Sequence, residues 1–136
     1  MPTELEEKDA IRELMAEYCF RLDNDRFADM AALFTEDGTW DTAFGKGTGR
    51  DGVEALVRRL RDSATARPRV IHHCTNIVIK LDGGTAKAFS NWVTVQNSAQ
   101  GPRIGSAGSY TDDLVKQDGR WLFRYRKIDR FIHDKA

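Results

Sequence analysis

The sequence has no apolar run approaching the roughly 20 residues that span a bilayer as a helix. It also has no excess charge. Twenty-one basic side chains face 21 acidic ones, for a formal net charge of zero. A nucleic-acid or membrane-surface role needs a basic excess or stripe, so the balance argues against both. Cysteine is scarce: Cys19 and Cys74 are the two present. They fall in a predicted helix and a predicted strand among apolar neighbours and read as buried small hydrophobes. No C-x-x-C pair appears, and His72, His73 and Cys74 are consecutive on a strand, so their side chains diverge. No metal site is expected. The glycine-rich pieces sit in hairpin turns rather than between a strand and a helix, so no phosphate loop is expected either. The opening "MPTELEEKDA" is acidic and polar, unlike a secretory or transit leader, which makes a reducing cytoplasm the expected compartment.

What is present suits one domain over residues 1–136. Apolar residues make up 40% and charged residues 31%, an ordinary globular balance with enough chain for a core and a pocket. Thr3 and Glu6 form a capping-box pattern. Ile11, Leu14, Met15, Tyr18 and Leu22 then trace one face of a helix. Phe27, Met30, Ala31 and Phe34 predict a second, short helix, and "TEDGTWDTAF" predicts a turn feeding a short strand. Asp51 precedes Val53, Leu56, Val57 and Leu60 as the N-cap of a third helix. Four long strands are predicted over about 69–81, 85–97, 103–116 and 120–132. "LDGG" and "KQDGR" supply tight hairpin turns, and "NSAQGP" a looser connection. Helices followed by an antiparallel meander predict an α+β fold: three N-terminal helices closing the concave side of a curved, mostly antiparallel sheet into a cone. A pocket is expected between sheet and first helix.

Two residues stand out. Asp23 lies on the flank of the first helix, one turn beyond Cys19, where a carboxylate near a helix C-terminus gains from a cationic partner. In "RVIHHCTNIVIK" two histidines are adjacent on a strand and must face opposite ways. One face holds His72, Cys74, Asn76 and Val78, small and mixed in polarity. The other holds Ile71, His73, Thr75, Ile77 and Ile79, mostly aliphatic. Parity alone does not say which face meets the helices.

"AIRELMAEYCFRLDNDRFADMAALFTEDGTW", "IHHCTNIVI" and "GSYTDDLVKQDGRWLFRYRKI" together resemble the SnoaL-like branch of the NTF2-like (cystatin-like) superfamily, from about residue 8 to residue 130. The pattern is most similar to scytalone dehydratase and hexachlorocyclohexane dehydrochlorinase. The resemblance implies a cofactor-independent lyase, a dehydratase-type elimination on a small apolar cyclic substrate, in a homotrimer ahead of a dimer. It places a catalytic dyad on Asp23 and His72, with Asn76 below the histidine. It places substrate contacts on Trp40, Tyr110 and Arg126; strand parity separately offers Ser90, Trp92 and Thr94 on one face of their strand, and Tyr18 is a further candidate for the lining. Tyr18 stands where the dehydrochlorinase has a lysine, which favours dehydration or isomerisation over halide elimination. Isomerisation, polyketide cyclisation, epoxide hydrolysis and a non-catalytic binding or structural module remain as alternatives. An Asp23–His72 pair at bonding distance favours an enzyme.

Overall fold

The computed structural model describes residues 1–62 and 69–134. Helix α1 (Glu4–Asp23) starts at the expected capping box: Thr3 Oγ1 accepts the Glu6 N–H at 3.1 Å, and Glu6 Oε1 accepts the Thr3 N–H at 3.2 Å. Its buried stripe is Ile11, Leu14, Met15, Tyr18, Cys19 and Leu22, related by steps of three and four residues that keep them on one face. A left-handed Asp25 (φ 58°) then turns the chain into α2 (Phe27–Ala31).

Phe34 does not extend α2. It is fully buried and opens strand β1 (Phe34–Thr42), which pairs back with the short β2 (Gly45–Thr48). Sequence patterning predicts a turn feeding one short strand here, and the structure has a two-stranded hairpin instead. The pairing that holds β1 is with the last strand, roughly 90 residues later in the chain, and leaves no local periodic signature. Helix α3 (Gly49–Asp62) begins two residues ahead of the expected cap, so Asp51 lies in its first turn, where a carboxylate favours the helix dipole.

The four long strands are β3 (Val70–Asp82), β4 (Thr85–Ser98), β5 (Gly101–Gln117) and β6 (Arg120–Ile132), within one or two residues of expectation. Asp118 (φ 51°) and Gly119 (φ 77°) give the last hairpin the two positive φ values that suit the twist of its strands. The β4–β5 connection is tighter than expected, with only Ala99 and Gln100 between paired Ser98 and Gly101. The sheet runs β2-β1-β6-β5-β4-β3, antiparallel throughout except at β1–β6. This mostly antiparallel sheet carries the helices as the α+β reading expected.

Strand β3 departs from simple alternation. Asn76 is left-handed (φ 56°) at a register shift between Thr75 and Val78, a bulge that moves one residue out of step. Before it, His72 and Cys74 are half-buried while Ile71, His73 and Thr75 are exposed. After it, Ile77 and Ile79 turn inward and Val78 outward. The aliphatic row of Ile71, Ile77 and Ile79, one face by simple alternation, is therefore split. Only Ile71 stays outside.

Candidate active site

A cavity of about 490 Å³ opens between the concave side of the sheet and helices α1 and α3, a size usual for a small-molecule site. Its wall includes Tyr18 from α1, Trp40 from β1, His72 from β3, Trp92 and Thr94 from β4, and Tyr110 from β5. The long strands carry these side chains on alternate inward positions, and α1 contributes Tyr18 from its buried stripe.

Asp23 and His72 lie 49 residues apart and meet at the edge of this cavity. Asp23 is the last residue of α1, and its Oδ2 accepts the backbone N–H of His72 at 2.8 Å. Its Oδ1 lies 2.5 Å from the His72 ring Nδ1. Only 7% of the Asp23 side chain is exposed, against 19% for His72. With a carboxylate on Nδ1, the neutral imidazole carries its hydrogen there and its Nε2 is left as the acceptor. Nε2 has no protein partner among the described residues. The His72 and Trp92 rings stand 6.3 Å apart, and Trp92 is 6.1 Å from Tyr110. Trp92 is fixed by its Nε1, which donates to the Asp129 carbonyl at 3.2 Å. His73 faces the opposite side of the sheet and is exposed.

Trp40 and Tyr18 are coupled, the indole Nε1 donating to the Tyr18 hydroxyl at 2.9 Å. Tyr18 and Tyr110 meet edge to face at 5.8 Å. Burial pushes both phenols well above their ordinary values, with the nearby Arg126 guanidinium pulling the other way. Both stay protonated near neutrality, so each can donate a hydrogen bond but neither is a base. Burial likewise pushes the Cys19 thiol up to about 12, which makes it a core residue and no nucleophile.

Two expected contacts are not on the cavity wall. Asn76 is exposed, because the bulge it forms turns it away from the cavity. Arg126 is wholly buried beneath the two tyrosines, its guanidinium carbon 3.5 Å from the Tyr110 ring centre, 4.3 Å from Tyr18 and 4.5 Å from Phe123. Its counter-charge is the cross-strand neighbour Asp112, with Nε and Oδ1 3.0 Å apart. The approach is off-line, an ion pair more than a directed hydrogen bond, and the remaining guanidinium N–H groups lie among aromatic rings. An aliphatic or aromatic cage around a buried ion pair leaves no signature in strand parity, so the cavity face and the core face of β6 look alike in sequence. Among the described residues, the arginines that do reach the cavity are Arg61 of α3 and Arg130 of β6. Neither stands out in the sequence, and nor do Gln96 and Ser106. Thr94 lies two residues beyond Trp92 on the same face of β4, as strand alternation requires. Among the described residues, no group of three or more His, Cys, Asp or Glu side chains could hold a metal ion. No helix there is long and apolar enough to cross a membrane.

The family model of the SnoaL-like domain matches residues 3–127. The chain belongs to the SnoaL-like family, which includes polyketide cyclases and dehydratases. No curated protein is similar enough to match. Among solved structures, a Mycobacterium tuberculosis protein of unknown function, Rv3472, determined as an aspartate-to-asparagine variant, is 29% identical with a TM-score of 0.82; the match covers 92% of this chain and 72% of that one. A Novosphingobium aromaticivorans protein provisionally named a scytalone dehydratase is 28% identical with a TM-score of 0.80, over 97% of this chain and 91% of its own. An NTF2-like protein with a cystatin-like fold from the same organism is 22% identical with a TM-score of 0.82, over 91% and 81%. The last likeness concerns the fold alone. The SnoaL-like chain thus has the expected NTF2-like, cystatin-like architecture.

Proposed function

We propose that this SnoaL-like protein is a cofactor-independent lyase that dehydrates a small cyclic substrate, with the Asp23–His72 pair as its base. The observation that carries the reading is the 2.5 Å contact between Asp23 Oδ1 and His72 Nδ1, in a side-chain pair that is mostly buried yet opens onto the cavity. Asp23 fixes the tautomer, and the free Nε2 takes a proton from a carbon beside a carbonyl. The electrons left behind form the new double bond as the C–O bond to a neighbouring hydroxyl breaks. The imidazolium then returns its proton to the leaving hydroxyl, which departs as water. A positioned base of this kind contributes about 10²–10⁴-fold in rate. The Tyr110 and Tyr18 hydroxyls, protonated at neutral pH, donate to the carbonyl oxygen as negative charge builds on it. The indoles of Trp40 and Trp92 supply apolar walls that strengthen both interactions by excluding water.

Membership of a family with both dehydratases and cyclases supports a second reading on the same residues. Proton abstraction without a leaving group is an isomerisation. The same enolate attacking a second carbonyl is the aldol step of a cyclase.

The test is a panel of cyclic β-hydroxy ketones followed by absorbance of the conjugated enone. Turnover that is lost in His72→Gln and kept in His73→Gln supports the dehydratase. Loss in His73→Gln with His72→Gln unaffected sinks the dyad. Isomerised or cyclised products without loss of water would move the assignment to the second reading.

The outer face of the sheet supports self-association. Ile71, Val95 and Ile104 are direct cross-strand neighbours on β3, β4 and β5, exposed by 46%, 36% and 60%. The row is contiguous and apolar, and a second copy of the chain is the occupant we assign to it, in a trimer ahead of a dimer.

A further inference from the structure

We propose that the substrate of this cavity is a carboxylate, held at the end remote from His72 by Arg130 and Phe44. The inference rests on the cavity being the substrate site and extends that reading to the charge of the substrate.

Among the described residues two arginines reach the cavity wall, and they differ in what neutralises them. Arg61 is engaged: Asp25 lies 3.4 Å from its Nε, and its Nη2 donates to the Leu22 carbonyl at 3.2 Å. The nearby carboxylate of Asp134 is also engaged, accepting from Arg103 Nη2 at 2.5 Å. Arg130 is half-buried and has no carboxylate within ion-pair distance among the described residues. Among the described residues its side chain meets the Phe44 ring, with the guanidinium carbon 5.3 Å from the ring centre. A guanidinium over an aromatic face interacts through its plane and keeps its in-plane N–H edges free, and those edges match a carboxylate with two parallel hydrogen bonds. Partial burial without a counter-charge is costly, and an anionic ligand would remove the cost.

Phe44 makes the second, independent point. It sits on the β1–β2 turn at the cavity wall with 60% of its surface exposed, an apolar ring left open at a site entrance. A ligand seated between Arg130 and the interior covers it.

The spacing selects the shape of the ligand. Arg130 pairs across the sheet with Gly108, and Gly108 with Trp92, while His72 pairs with Thr94 next along β4. His72 and Arg130 are therefore three inter-strand spacings apart, roughly 14 Å along the sheet before their side chains converge. Gly108 keeps the intervening floor low. A Cβ there would lie 1.8 Å from the Asp129 carbonyl oxygen, so no side chain can rise between the two poles. A one- or two-ring acid fits this arrangement, with its carboxylate on Arg130, its rings against Trp92 and Tyr110, and its reacting carbon at His72.

Isothermal titration of the full chain with 2-naphthoate and with uncharged 2-naphthamide tests this without requiring turnover. The carboxylate should bind about 10- to 100-fold more tightly than the amide, the range of a hydrogen bond to a charged group. Arg130→Gln should abolish that preference and leave amide binding nearly unchanged, and Arg130→Lys should restore part of it. His72→Gln should keep the preference, so a failed dyad and a failed carboxylate site give different results. Equal affinity for both ligands, no binding of either at millimolar concentration, or a preference that survives Arg130→Gln overturns the proposal. So does a preference lost in His72→Gln, which would place the anion on the histidine.

Discussion

Asp23 holds His72 at two points, its Oδ2 on the backbone N–H at 2.8 Å and its Oδ1 on the ring Nδ1 at 2.5 Å. The first bond ties the end of α1 to the start of β3, and the second orients the imidazole that those elements bring to the cavity. One carboxylate therefore serves both the packing of a helix on a sheet and the tautomer of a ring. This double role has consequences for how substitutions there should behave.

For activity, Asp23→Asn and His72→Gln should not add. If both residues serve one proton transfer, the double variant turns over scarcely more slowly than either single variant, because the second change removes help from a step already lost. For stability the two should differ. His72→Gln leaves the backbone bond to Asp23 in place, whereas Asp23→Ala removes both bonds and leaves a mostly buried N–H unpaired, at a cost of about 1–3 kcal/mol. Thermal unfolding should show a clearly lower Tm for Asp23→Ala than for His72→Gln. Additive losses of activity with equal losses of stability would mean that the two residues are merely neighbours.

How much of this was legible beforehand depended on the range of the signal. The capping box at Thr3 and Glu6, the stripe of α1 and the hairpin turns are local chemistry, and the strand limits came out within one or two residues. Only a short strand after a turn is legible where the β1–β2 hairpin stands, because the partner that extends β1, β6, is distant in sequence. His72 lies on the inward face of β3, and simple alternation runs only as far as Thr75. Asn76 in the left-handed region inverts the alternation beyond it, which put Asn76 outside and Ile77 and Ile79 inside. Asparagine is among the few non-glycine residues that tolerate that region, so its presence mid-strand was a usable warning. Arg126 and Arg130 lie one helical-looking step apart in a strand rich in charge, and nothing in "RWLFRYRKIDR" says which one meets a core carboxylate. That depends on Asp112 lying directly across from Arg126.

The split of the β3 row changes the surface that should drive self-association. Ile71, Val95 and Ile104 form one exposed line, and Val78 and Phe89 form a second exposed cross-strand pair, at 54% and 41%. Sedimentation equilibrium at micromolar concentration should give a trimer ahead of a dimer. Ile104→Glu places a charge on the most exposed member of the line and should yield a monomer with unchanged circular dichroism. A monomeric wild type would remove this surface as an interface.

The Asp112–Arg126 pair sets a pH dependence that can be isolated. Asp112 is 1% exposed, and burial raises its pKa to about 6 against the opposing pull of Arg126. The folded state therefore binds a proton at Asp112 more tightly than the unfolded chain, whose carboxyl sits near the ordinary value of 3.8. Between those two values the folded form carries more protons at this site, so its contribution to stability is full below the lower one and declines as pH rises through the upper. Other carboxylates titrate in the same range, and a difference removes them. Asp112→Asn has no titration at this position, so the Tm of the wild type relative to this variant should fall as pH is raised from about 4 to about 6 and then level off. The variant also strips the buried guanidinium of its counter-charge, a loss of about 3–5 kcal/mol that offsets the whole comparison without changing its slope. A relative Tm that rises over this interval would mean that Arg126 outweighs burial and holds the Asp112 carboxyl below its ordinary value.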